Sequence, residues 1–88
     1  MKITLEVEVS EEAFELGRKL VNADFNPDKN GKVDVMKNIA AVFAAVCEDN
    51  KKDESGQVRC GSAQRRIAVA QTNMETACMF AVKSNFSC

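Results

Sequence analysis

Residues 62–83, SAQRRIAVAQTNMETACMFAVK, decide the fold. Ser62 is expected to cap a helix, since a hydroxyl can accept from the free amides of a first turn. Ile67, Ala70, Met74, Ala77, Cys78 and Ala81 recur at helical intervals and predict an apolar stripe. The opposite edge carries Ala68, Val69, Met79, Phe80 and Val82, so from Ala77 to Val82 the helix is apolar nearly all round. On a monomer one side of such a helix would face water. The small residues Ala70, Ala77 and Ala81 let helices approach closely. The segment is therefore expected to pack against copies of itself, with Ala77, Cys78 and Ala81 as the seam.

Working outward, the pattern predicts a second long helix over 31–48. Val33, Met36, Ile39, Ala40, Phe43, Ala44 and Cys47 form its stripe. The polar run Glu48–Arg59 contains Gly56 and joins the two helices as an antiparallel hairpin. Upstream, Ser10 should cap a short helix over 10–22, with Glu11 and Glu12 in its first turn, where the helix dipole favours acids. Asn26, Pro27, Asn30 and Gly31 mark Asn22–Gly31 as a loop. In residues 1–9, Ile3, Leu5, Val7 and Val9 alternate with Lys2, Thr4, Glu6 and Glu8, the period of one half-buried strand. The chain offers no second strand. This segment must pair with another copy or lie as an extended arm over the helices. The expectation is one mainly α domain over 1–88, assembled as a compact homo-oligomer.

Size and composition narrow the function. A chain of 88 residues has a thin core and usually needs staples, a metal or partner subunits. There are four cysteines and no histidine, and no Cys-x-x-Cys pair, which argues against zinc. Cys47 and Cys78 read as core filler, and Cys60 and Cys88 as exposed or terminal thiols. MKITLEVEV does not read as a signal peptide, and no apolar run approaches the roughly 20 residues that cross a bilayer. Reduced thiols in a cytosol follow, and oligomerisation becomes the favoured route to a core. Twelve Lys and Arg against thirteen Asp and Glu give no basic field for duplex nucleic acid. No catalytic motif is apparent, so a non-enzymatic protein without cofactor is expected.

Two clusters could bind something. Residues 26–37, NPDKNGKVDVMK, imitate a calcium-binding EF-hand loop through Asn26, Asp28, Asn30, Gly31, Val33 and Asp34. The twelfth position, where an EF-hand needs a bidentate glutamate, is Lys37. The segment suits an anion better. Asp28 or Asn30 can cap the helix, its first amides and Lys37 can hold a phosphate, and Lys29 and Lys32 lie close by. Phe25 could stack on a base, or could be a staple packing the loop onto the helix. On the last helix, Arg65, Arg66, Thr72 and Thr76 could meet phosphate and ribose oxygens, or form a solvated edge.

These residues also carry a resemblance. GRKLVNADFNPDKNGKVDVMKNIAAVF (17–43) and RRIAVAQTNMETACMFAVK (65–83) are similar to the phage anti-CBASS protein 2 family, whose helical hairpin resembles one in anti-Thoeris phage proteins. The second stretch is the more specific, and residues 1–9 fall outside the pattern. The resemblance implies a non-enzymatic homohexamer that sequesters cyclic dinucleotides in the host cell cytoplasm, so that the host's CBASS effector never receives its signal. It implies Phe25, with Asn26 beside it, stacking on a base, and Lys37 on the phosphates. It further implies a separate cyclic trinucleotide site drawing on Arg65 or Arg66 and Thr72 or Thr76. The competing expectations are an EF-hand-like calcium-binding or structural interaction module, and an enzyme that degrades the nucleotide.

Overall fold

The computed structural model describes residues 1–87. Helix α1 (Glu11–Leu20) starts at Ser10, whose Oγ accepts from the Ala13 amide at 3.2 Å. Ser10 is itself held by Asp49, the last residue of helix α2 (Gly31–Asp49). The Ser10 amide and hydroxyl donate to the two Asp49 carboxylate oxygens, each at 2.7 Å. That places a negative charge at the positive end of the α1 dipole. α1 closes at Asn22, which takes the left-handed conformation at φ 53°. There the Ala23 amide donates to Arg18 and the Asn22 amide to Lys19, the two bonds of a Schellman cap.

Helix α3 (Gly61–Ser84) begins one residue before Ser62, and its cap residue, Cys60, makes no side-chain bond to the first turn. The expected Ser62 cap is thus corrected. The start is set by the preceding loop instead. An antiparallel bridge joins Lys52 to Val58, and the Gln64 side chain donates to the Lys51 carbonyl at 2.7 Å. α2 lies in the middle and packs on both α1 and α3.

The packing faces are made of small residues. Ala13 and Gly17 of α1 meet α2 so closely that a Cβ on Gly17 would lie 3.0 Å from the Ala41 carbonyl carbon and nearer still to its oxygen. Ala40, Ala41, Ala44 and Ala45 are all buried, and Val21, Ala40, Ala41 and Cys78 form the core cluster, with Met74 and Val82 against it. Two expectations change here. Ile39 and Phe43 of the α2 stripe face outward, at 64% and 44% exposure, and Lys37 and Ala41 take their place inside. The seam residues Ala77, Cys78 and Ala81 divide: Cys78 is in the intramolecular core, Ala81 is half-buried and only Ala77 is exposed. A residue pattern tells that a helix has an apolar side, but where both sides are apolar the closer-packing alanines face inward.

The large apolar side chains are left outside, among them Val35, Ile39, Phe43, Val69, Met79 and Phe80. The chain exposes 6806 Å², against about 5,100 Å² for a compact monomer of its length. Its radius of gyration is 14.2 Å, where about 12 Å would be compact. Residues 1–9 form no strand, and among the described residues there is none. The segment is an extended arm, whose Leu5 and Val7 border a cleft with Ile39, Val42, Phe43 and Val46. Among the described residues no helix is long and apolar enough to cross a membrane. Cys88 lies outside the described residues.

Candidate functional site

The loop between α1 and α2 is built around one lysine. Lys37 lies in the second turn of α2 and is only 6% exposed. Its Nζ reaches back to donate to the Asn22 carbonyl at 2.8 Å and the Phe25 carbonyl at 2.5 Å. The left-handed turn at Asn22 is what aims these carbonyls at the ammonium. Two of its three N–H groups are thus committed, which leaves one donor. The Phe25 ring lies 5.7 Å from Nζ, within cation–π range. The ring is nevertheless 61% exposed, so it does not staple the loop to the helix.

Asn26 fixes the rest of the loop. Its amide nitrogen donates to the Asn30 carbonyl at 2.8 Å and to Asp34 Oδ1 at 2.9 Å, and its Oδ1 accepts from the Asn30 amide at 3.1 Å. Asn30 then caps α2, its Oδ1 accepting from Lys32 and Val33 at 2.9 and 3.2 Å. These bonds take up the Lys32 and Val33 amides, two of those expected to receive an anion. On the far side of the loop, Arg18 pairs with Asp24 at 2.5 Å and lies over the Phe14 ring.

Lys37 borders a shallow cleft of about 250 Å³ with Leu20, Val21, Glu75, Cys78, Met79 and Val82. Burial raises the Cys78 thiol above its ordinary value of 9.0, and the Lys37 charge opposes that rise. Glu75, Met79 and Val82 were not foreseen at the site. Glu75 and Val82 stand three and four residues from Cys78, and Met79 four from Glu75 and three from Val82, and this helical spacing is the signal that could have placed them there.

The EF-hand pattern of the loop is broken at its last ligand. The ammonium of Lys37 fills the position of the twelfth ligand and is wrapped by loop carbonyls. Among the described residues no three His, Cys, Asp or Glu side chains converge.

The second cluster lies elsewhere. Arg65, Arg66, Thr72 and Thr76 are all exposed on α3, and neither arginine makes an ion pair among the described residues. Arg65, Thr72 and Thr76 share a ridge, with Arg66 one position round the helix. The Thr76 hydroxyl donates to the Thr72 carbonyl at 3.2 Å. From Arg65 to Cys78 the helix rises about 20 Å. The structure therefore brings Phe25, Asn26 and Lys37 together, and separately the two arginines and threonines, but does not join the two groups within one chain.

A family model described as Acb2/Tad1, hairpin domain, matches residues 15–86. No curated protein and no solved structure matches the chain.

Proposed function

The chain belongs to the Acb2/Tad1 hairpin family, which fits evasion of anti-phage defence, and from that premise we propose that it is a non-enzymatic sponge for cyclic oligonucleotides. The observation that carries the reading is Phe25. Its exposed ring lies within cation–π range of a buried lysine whose ammonium also holds the Phe25 carbonyl. That pairs a stacking platform for a base with a positive charge for its phosphate.

The cleft beside Lys37, at about 250 Å³, falls below the roughly 300 Å³ at which small-molecule pockets begin. A cyclic dinucleotide has two similar halves. Two copies related by a two-fold axis would give it two such clefts, two phenylalanines and two lysines, and the same contacts would recur on each half. The exposed apolar surface of α2 and α3 supports such an assembly, and a homohexamer is the form the family resemblance suggests. Arg65, Arg66, Thr72 and Thr76 would serve a second ligand, a cyclic trinucleotide, where α3 helices of several copies converge. Sequestration needs affinity and copy number, not turnover, in the cytoplasm of the infected host.

Calorimetry with cyclic GMP–AMP tests this. The native chain should release heat, and Phe25→Ala should weaken binding by about 1–3 kcal/mol for each lost stack. No heat from the native chain, or an unchanged affinity in Phe25→Ala, would overturn the reading. Linear nucleotide recovered after denaturing the complex would make the protein an enzyme instead.

A further inference from the structure

The arm formed by residues 1–9 makes no backbone hydrogen bond to the rest of the chain among the described residues, and its Ile3 and Leu5 are 82% and 79% exposed. A segment with strand periodicity and unmet backbone donors and acceptors is a template for another strand. Its charges indicate which one. When the arm is laid antiparallel on a copy of itself about Leu5, Lys2 falls opposite Glu8, Thr4 opposite Glu6 and Ile3 opposite Val7. Both ends gain an opposite-charge pair, and the apolar residues stay on one face. A shift that centres the two-fold on Glu6 sets two carboxylates against each other, which disfavours that register.

We infer that the arms of two copies pair as an antiparallel ribbon centred on Leu5, with its apolar face on the outer ridges of α2. A two-stranded ribbon is marginal alone and needs an apolar platform. Ile39, Phe43 and Val46 supply one, all exposed and already bordering the cleft with Leu5 and Val7. The geometry permits it. Paired in this register, the two Ser10 residues lie about 34 Å apart, which leaves room for two helical bodies about 25 Å across. Ser10 fixes each arm's departure through its bonds to Asp49. The pairing arm lies outside the matched residues 15–86, only its platform on α2 lies within them, and the pairing does not depend on nucleotide binding.

Disulfide trapping tests the pairing. Leu5→Cys is made in the full chain carrying Cys60→Ser and Cys88→Ser and oxidised mildly. The arm is exposed and makes no backbone bonds, and Cys60 is exposed with no side-chain bond to the first turn of α3, so Leu5→Cys and Cys60→Ser leave the helical fold intact. Leu5→Cys should give a covalent dimer, and Thr4→Cys, whose opposite number is Glu6, should give much less. Adding Lys2→Glu should slow trapping about fivefold at low salt, and adding Glu8→Lys to that should restore it. A monomeric Leu5→Cys chain, or trapping indifferent to Lys2→Glu, overturns the inference. So does preferential closure of Leu5→Cys onto Phe43→Cys of the same chain, which would make the arm a self-cover.

Discussion

Lys37→Met tests how far the buried ammonium holds the loop. Methionine keeps most of the buried stem and removes the ammonium. The Asn22 and Phe25 carbonyls, whose bonds are part-buried, then lose their donor. Each unmet buried acceptor costs about 1–3 kcal/mol. Relaxation of the loop recovers part of this, and removing a buried charge that no carboxylate pairs recovers more. A net loss of about 1–3 kcal/mol remains, which for a chain of this size lowers Tm by roughly 5–20 °C. Urea unfolding of the variant beside the native chain, at matched protein concentration, measures it. Phe25→Ala, which removes an exposed ring, should change stability by no more than about 0.5 kcal/mol. If Lys37→Met is as stable as the native chain, Nζ does not hold the loop and the account of how Phe25 is presented fails.

Gly17→Ala should destabilise by about 1–3 kcal/mol, because the clash with Ala41 forces α1 away from α2; a gain of about 1 kcal/mol, the helix-propensity value, would show that the helices are not that close. Glu48 titrates below its ordinary 4.5, chiefly through its bond with Lys51, and Asp53 below its ordinary 3.8, chiefly through Ser55. Depressed carboxylates stabilise the fold above their unfolded pKa values and lose that contribution as pH falls through the folded ones. Thermal scans should thus be flat near neutrality and decline below about pH 4.5, and Glu48→Gln should reduce the decline. Thiol labelling should modify Cys60 before Cys47, with Cys78 reacting only on unfolding, since burial raises the Cys47 and Cys78 thiols; fast native labelling at Cys78 would contradict its place in the core.

The helices were legible because their periodicity and breakers are local: Ser10, Pro27, Gly31 and the polar run after Glu48 all mark boundaries. Orientation was not legible where a helix is apolar on two sides. Ile39 and Phe43 read as core and face outward, because close approach of Gly17 to Ala41 brings the alanines inside. Phe25 and Lys37 could be singled out by type and position. That they meet through the Asn22 and Phe25 carbonyls depends on a left-handed turn at Asn22, which the one-dimensional pattern did not mark. Residues 1–9 carry the alternation of a strand but lack a partner in the chain, so the pattern was present and the structure it implies was not.

The most direct test is native mass spectrometry of the protein incubated with a panel of cyclic di- and trinucleotides, followed by recovery of the ligand. The expected spectrum is one closed oligomer carrying one intact cyclic dinucleotide for each pair of chains, with trinucleotide adding at a separate stoichiometry. A monomer, or an oligomer that gains no mass with any member of the panel, would contradict the proposal.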